Sequence, residues 1–157
     1  MPSAQPLCPM VTVRRAIPAD IPALTRNILA MARESEGRTL DENILSAGIR
    51  RLFDEPALGA YWVALNDLNC IASCLITIEW SDWNNAPYWW FQSVYVHPDC
   101  RGKGIFARIM TDIEAEARKN GACELRLYVE TGNTRAIRAY KKCAFTGGHY
   151  AVMEKCL

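Results

Sequence analysis

The stretch Val94-Tyr95-Val96-His97-Pro98-Asp99-Cys100-Arg101-Gly102-Lys103-Gly104-Ile105-Phe106 places two glycines and two cations between an apolar run and a helical pattern. The start of a helix offers four backbone N–H groups without intrahelical partners, at the positive end of its dipole. Glycine at 102 and 104 lets the main chain come close to a ligand, and Arg101 and Lys103 add charge beside it. The chemistry is anion binding, and a diphosphate is the natural ligand. The pattern Gly-x-x-x-x-Gly-Lys-Ser/Thr is absent, which excludes a P-loop nucleotidase. Gly102 to Ala107 fits the loose dinucleotide pattern G-x-G-x-x-A, but such a loop opens a long doubly wound domain, and only 55 residues follow Gly102. A purely structural helix start remains as the plain alternative.

The elements that must carry this loop follow from periodicity. Val11 to Arg15 reads as a strand, and Asp20 caps a helix with Ile21, Leu24, Ile28 and Met31 on one side. A second helix begins near Asp41, aligns Ile44, Leu45, Gly48, Ile49 and Leu52, and stops before Pro56. Ala60 to Leu65, Cys70 to Glu79 and Trp89 to Val96 are strand-like runs separated by Asn/Asp-rich turns, an antiparallel meander. The period then changes to a helix over Gly104 to Asn120, a strand over Cys123 to Glu130, a helix over Asn133 to Cys143 and a last strand over Tyr150 to Lys155. Strand, helix, strand implies one parallel crossover. The expected fold class is α/β with a mixed, mostly antiparallel sheet of six to seven strands and helices on both faces. Residues 11–157 are expected to form one domain, and residues 1–10 a flexible N-terminus.

Composition narrows the function classes. The 157 residues carry a net charge of +1, which gives no long-range attraction to nucleic acid or to an anionic membrane. The balance is uneven: residues 1–100 sum to −4 and residues 101–157 to +5, so the C-terminal third suits a polyanion. No apolar run approaches the ~20 residues of a membrane span, and the first residues resemble no secretory leader, so the cytoplasm is the expected compartment. Seven cysteines, an odd number without Cys-x-x-Cys, and two histidines predict reduced core thiols and no metal.

From Gln92 onward, the order is strand, Val96-His97-Pro98, Arg101-Gly102-Lys103-Gly104, amphipathic helix, strand, then Asn133-x-x-Ala136-x-x-x-Tyr140-x-x-x-Ala144-Phe145. This block resembles the GNAT superfamily of acyl-CoA-dependent N-acyltransferases, and the elements before it agree in order. The resemblance implies acetyl-CoA as co-substrate, with the main chain of Arg101, Gly102, Lys103, Gly104, Ile105 and Phe106 on its pyrophosphate. It further implies a bulge that splays the strand Gln92 to Val96 from its parallel neighbour, so that Val94, Tyr95 and Val96 meet the pantetheine arm, with Asn133 and Ala136 opposite. Phe106 stands where the family has a last Gly/Ala, so its side chain must point away, and Ala144 replaces a frequent glycine.

The family implies direct attack by an amine and assigns Tyr140 to protonate the departing thiolate; the phenol and thiol are close enough in pKa for that transfer. Glu79, Glu34 and Glu36 are the candidate bases, and Gln92 or Ser93 could hold a water or the substrate carbonyl. Arg135, Arg138, Lys141 and Lys142 offer partners for the adenosine 3′-phosphate or a solvated helix face. Trp80, Trp83, Tyr88, Trp89 and Trp90 cluster in sequence beside Glu79 and Asp82, which suits either a cationic amine or a homodimer surface. The expected function is N-acetylation of a primary amine of a small molecule or peptide. A non-catalytic coenzyme A-binding domain is the alternative.

Overall fold

In the computed structural model, which describes residues 11–157, five strands form one sheet in the order β1-β2-β3-β4-β5. They are β1 Val11–Arg15, β2 Ala60–Asn66, β3 Asn69–Ser81, β4 Ala86–Val96 and β5 Glu124–Leu127. The first four pair antiparallel and β5 joins β4 in parallel, the expected crossover made through α3 Ile105–Lys119. The expected flexible stretch 1–10 lies outside the described residues.

Alternation along the strands sends side chains to two layers of helix. α1 (Ile21–Glu36) and α2 (Glu42–Asp54) cover one face, where Ile21, Leu24, Ile28 and Ile49 meet Tyr61 and Val63. On the other face, Ile105, Ile109, Met110, Ile113 and Ala117 of α3 pack on Trp62, Ala72, Cys74, Ile76, Trp89 and Phe91. α2 starts where its sequence says, with the Asp41 side chain accepting from the amides of Asn43 at 2.8 Å and Ile44 at 3.1 Å. Of the expected face of α2, Leu45, Ile49 and Leu52 pack inward together with Phe53, whereas Ile44, 74% exposed, and Gly48 do not.

Three expectations are corrected. The sheet has five strands, not six to seven. β5 covers four residues instead of Cys123 to Glu130, because its ladder ends at Phe91↔Leu127 and residues 128–130 find no strand beside them. Tyr150 to Lys155 forms no strand despite its composition; Val152 and Met153 are exposed, and without a bonded neighbour a strand-like sequence has no ladder to join.

α4 (Thr134–Lys142) ends in a motif that bears on the site. Phe145 N–H reaches the Tyr140 carbonyl and Ala144 N–H the Lys141 carbonyl, both at 3.1 Å, which is the Schellman pattern. Ala144 occupies its left-handed position at φ +64°, where glycine is usual. The apolar contact of that motif is Phe145 on Tyr140, ring centroids 6.0 Å apart.

Candidate functional site

The middle of β4 breaks the sheet open. Ser73 pairs with Tyr95 but Leu75 pairs with Gln92, so β4 holds one extra residue there, and Ser93 takes φ +49°. A bulge of this kind bends its strand and re-aims the groups beyond it. The ladder to β5 ends one residue earlier, at Phe91↔Leu127. From Gln92 to Val96 the β5-facing edge of β4 is therefore unpaired, and the fork expected from the sequence is present.

At the far end of that edge lies the glycine loop, entered through a single turn at Pro98–Cys100. Gly102 and Gly104 have φ of +73° and +76°, the left-handed region that favours glycine. A Cβ at either would meet no protein atom within 4 Å, so packing does not require glycine there; the backbone conformation does. Gly104 forms the N-cap of α3 without a side-chain cap bond. Among the described residues no acceptor faces the amides from Gly102 to Ala107, and Arg108 N–H is the first to find one, the Gly104 carbonyl at 3.0 Å. Six consecutive amides at the positive end of a 15-residue helix make a strong anion site.

The two cations of the loop divide their work. Arg101 turns back into the protein: its Nε donates to the Val96 carbonyl at 2.8 Å, an Nη donates to Glu34 at the end of α1, and the guanidinium lies 5.7 Å from the Tyr95 ring centre. Its charge is matched by Glu34, which excludes Glu34 as a free base and leaves Arg101 to strap α1 to the loop. Burial, with Glu34 adding to it, pushes the Tyr95 hydroxyl above its ordinary pKa. Lys103 is exposed and has no ion pair among the described residues.

Phe106 points away from the loop, as its position requires, and packs edge-on against Tyr140 with centroids 5.3 Å apart. Phe145 closes the other side of Tyr140 and itself meets Phe91, the last paired residue of β4. Tyr140 is thus held between two aromatic neighbours on the α3 side of the fork, and burial raises its pKa, with the buried Cys74 thiol adding to the rise. Asn133 caps α4, its side chain accepting from Ala136 N–H at 3.1 Å.

The remaining candidates lie on the opposite face. Gln92 donates to Thr77 Oγ1 at 2.7 Å, beside the fork. Glu79 accepts from Trp90 Nε1 at 2.7 Å and pairs in register with Tyr88, so it stands back from Gln92 along the strand. The aromatic cluster divides: Tyr88 and Trp90 share the face of Glu79, Trp89 is buried under α3, and Trp80 and Trp83 are exposed on the β3–β4 hairpin. Sequence reasoning missed two residues here. Arg126 lies 3.4 Å over the Tyr88 ring and 5.7 Å from Trp90, with Nε on Glu124 at 2.8 Å, so the cation above these aromatics is the protein's own. Tyr128 stacks on Trp90 at 4.5 Å and 24°. Both follow from the parallel register Trp90↔Arg126, which the sequence does not print.

A mixed sheet forked at a bulge, with a glycine loop of free amides at the mouth, defines an acyltransferase architecture, and the comparisons agree. Residues 26–145 match the model of the acetyltransferase (GNAT) family, and the chain belongs to that family. It is 27% identical over 141 residues to the L-methionine sulfoximine/L-methionine sulfone acetyltransferase of Salmonella typhimurium, covering 87% of this chain and 80% of that one. The solved structure of a "possible acetyltransferase" from Clostridium difficile 630 superimposes with a TM-score of 0.86 at 31% identity, covering 94% of this chain and 97% of the other. A "predicted acetyltransferase" of Clostridium acetobutylicum, solved with acetyl-CoA, shares the fold at a TM-score of 0.77 and 19% identity, covering 93% of this chain and 96% of the other.

Proposed function

We propose that the protein transfers the acetyl group of acetyl-CoA to a primary amine of a small molecule or peptide, by direct attack of the amine on the thioester. The observation that carries this reading is the run of unpaired amides from Gly102 to Ala107, set at the end of a β4 edge that β5 leaves open. The residues present fit such a carrier. Amides of Gly102 to Phe106 and the Lys103 ammonium would hold the diphosphate. Main-chain groups of Val94, Tyr95 and Val96 would bond the arm's amides, with Asn133 and Ala136 on the far wall.

Bound acetyl-CoA supplies an activated acyl carbon and a sulfur leaving group. Tyr140 gives its hydroxyl proton to that sulfur as the C–S bond breaks and the C–N bond forms; its raised pKa keeps the proton in place until then. Gln92, fixed by Thr77, orients the amine at the fork, and Glu79 accepts the amine's proton through water. Tyr140 recovers its proton from solvent. The Salmonella relative acts on amino-acid derivatives, which supports a small-molecule acceptor over a protein. Thiol release from acetyl-CoA, measured across a panel of amines beside coenzyme binding by calorimetry, tests the proposal. Amine-dependent release is expected; tight binding without it would favour the non-catalytic coenzyme A-binding alternative.

A further inference from the structure

Four planar groups stand in file on the Glu79 face of the sheet. Tyr88 comes first, three residues before the last β4–β5 rung; the Arg126 guanidinium lies 3.4 Å above it and 5.7 Å from Trp90; Trp90 then stacks on Tyr128 at 4.5 Å. The column is held from both edges. Tyr88 hydroxyl accepts from Asn84 at 2.7 Å and bonds Ser81 at 3.0 Å, Trp90 is fixed by Glu79 at 2.7 Å, and Arg126 by Glu124 at 2.8 Å. Its members are therefore preset before any ligand arrives, which removes most of the ordering cost of binding.

The column ends at the fork. Tyr128 is the first residue of the chain past the Phe91↔Leu127 rung, and it is 59% exposed although its ring is stacked. Carried one step past its last rung, the β4–β5 register would set it opposite Gln92, on the same face. A ring at this place adds little to the core, since Tyr128 belongs to neither of the two buried clusters that flank the sheet. What it offers is a fixed, flat, polar-edged surface beside the point of transfer, and the group that best complements such a surface is another planar π system.

We infer that Tyr128, backed by Trp90, is the acceptor platform, and that the acceptor carries an aromatic ring joined to its amine by a short alkyl arm. The inference rests on the acetyltransferase reading and names its substrate class. The ring stacks on Tyr128 while the arm turns the amine toward Gln92 and the fork. The column itself holds two carboxylates, Glu79 on Trp90 and Glu124 on Arg126, against the one Arg126 cation, which also favours an acceptor that arrives as a cation.

The experiment compares 2-phenylethylamine with 2-cyclohexylethylamine, near equals in size, of which only the first has a planar ring and the second is the more hydrophobic, so a preference for the first cannot come from hydrophobicity. Turnover with acetyl-CoA is read as kcat/KM. In parallel, the N-acetyl form of each is titrated into the protein holding coenzyme A, with tryptophan fluorescence as the signal. The aryl compound is expected to lead by roughly 3- to 10-fold in both readouts. Tyr128→Leu should bring the ratio to about one and Tyr128→Phe should keep it, because a stacking role needs the ring and not the hydroxyl. A wild-type ratio of one or less, a ratio that survives Tyr128→Leu, or no binding of either compound overturns the platform. Absence of turnover with all amines, alongside the expected binding ratio, would instead overturn the acetyltransferase reading and leave the platform standing.

Discussion

Tyr140 is the residue on which the proposed chemistry can be tested most directly. Replacing it by Phe keeps the ring that Phe106 and Phe145 pack against and removes only the proton donor. Turnover should fall by about 100-fold or more while the coenzyme dissociation constant stays within a factor of about two, since general acids contribute on that scale. The pH profile carries a second test. Burial raises the Tyr140 pKa above its ordinary 10, so the hydroxyl stays protonated to higher pH, and the alkaline limb due to loss of the acid should lie above pH 10. A limb in the wild type near pH 8 that disappears in Tyr140→Phe would remove Tyr140 from this role. The helical placement of Tyr140 was legible from its spacing with Asn133 and Ala136, while the role proposed for it comes from the family resemblance. Arg126 and Tyr128 were not legible, because their importance comes from strand register, a relation between residues far apart in the chain. Glu34 was legible as a carboxylate near the site but not as the partner of Arg101, for the same reason.

At the scale of elements, the local signals were strong where one segment decides its own conformation. The Asp41 helix start, the meander and the glycine loop all come from short-range chemistry, whereas Asp20 precedes α1 without capping it, its carboxylate accepting instead from Arg14 and the Ile17 amide. The ends of β5 and the missing last strand were not legible, since a strand exists only where another one bonds to it. Two substitutions test the backbone reading. Gly104→Val puts a β-branched side chain at φ +76° and in front of the free amides, and it should abolish coenzyme binding in calorimetry; an unchanged affinity would count against the loop. Ala144→Gly removes the Cβ from a left-handed position at φ +64° and should stabilise the protein by about 1 kcal/mol in denaturant melts. The gain would come without loss of the Schellman bonds, which are main-chain. A destabilised Ala144→Gly would mean that the end of α4 is not strained as its geometry indicates.

Over the whole molecule, stability should fall at high pH, and a buried phenol should account for part of that fall. Tyr61, 7% exposed between the sheet and the α1–α2 layer, is pushed up to about 12 by burial. Below pH 10 the folded and unfolded chains hold this proton alike. Between pH 10 and 12 the unfolded chain loses it and the folded chain does not, so unfolding is favoured by about 2–3 kcal/mol over that range. Tyr61→Phe should make this part of the stability curve less steep, the buried Cys74 and Tyr140 keeping the remainder, as measured by urea melts at pH 9 and pH 11. An identical alkaline slope in the variant would assign the loss to other groups.

The strap from Arg101 to Glu34 joins the acidic and basic portions of the chain at the mouth of the fork. It also spends the guanidinium on an internal partner, so the loop faces an incoming diphosphate with main-chain dipoles and one lysine. Dipoles act at contact range, inside the ~8 Å over which physiological salt damps free charges. Raising the ionic strength should therefore weaken capture of the carrier far less than the surplus of positive residues after position 100 would suggest.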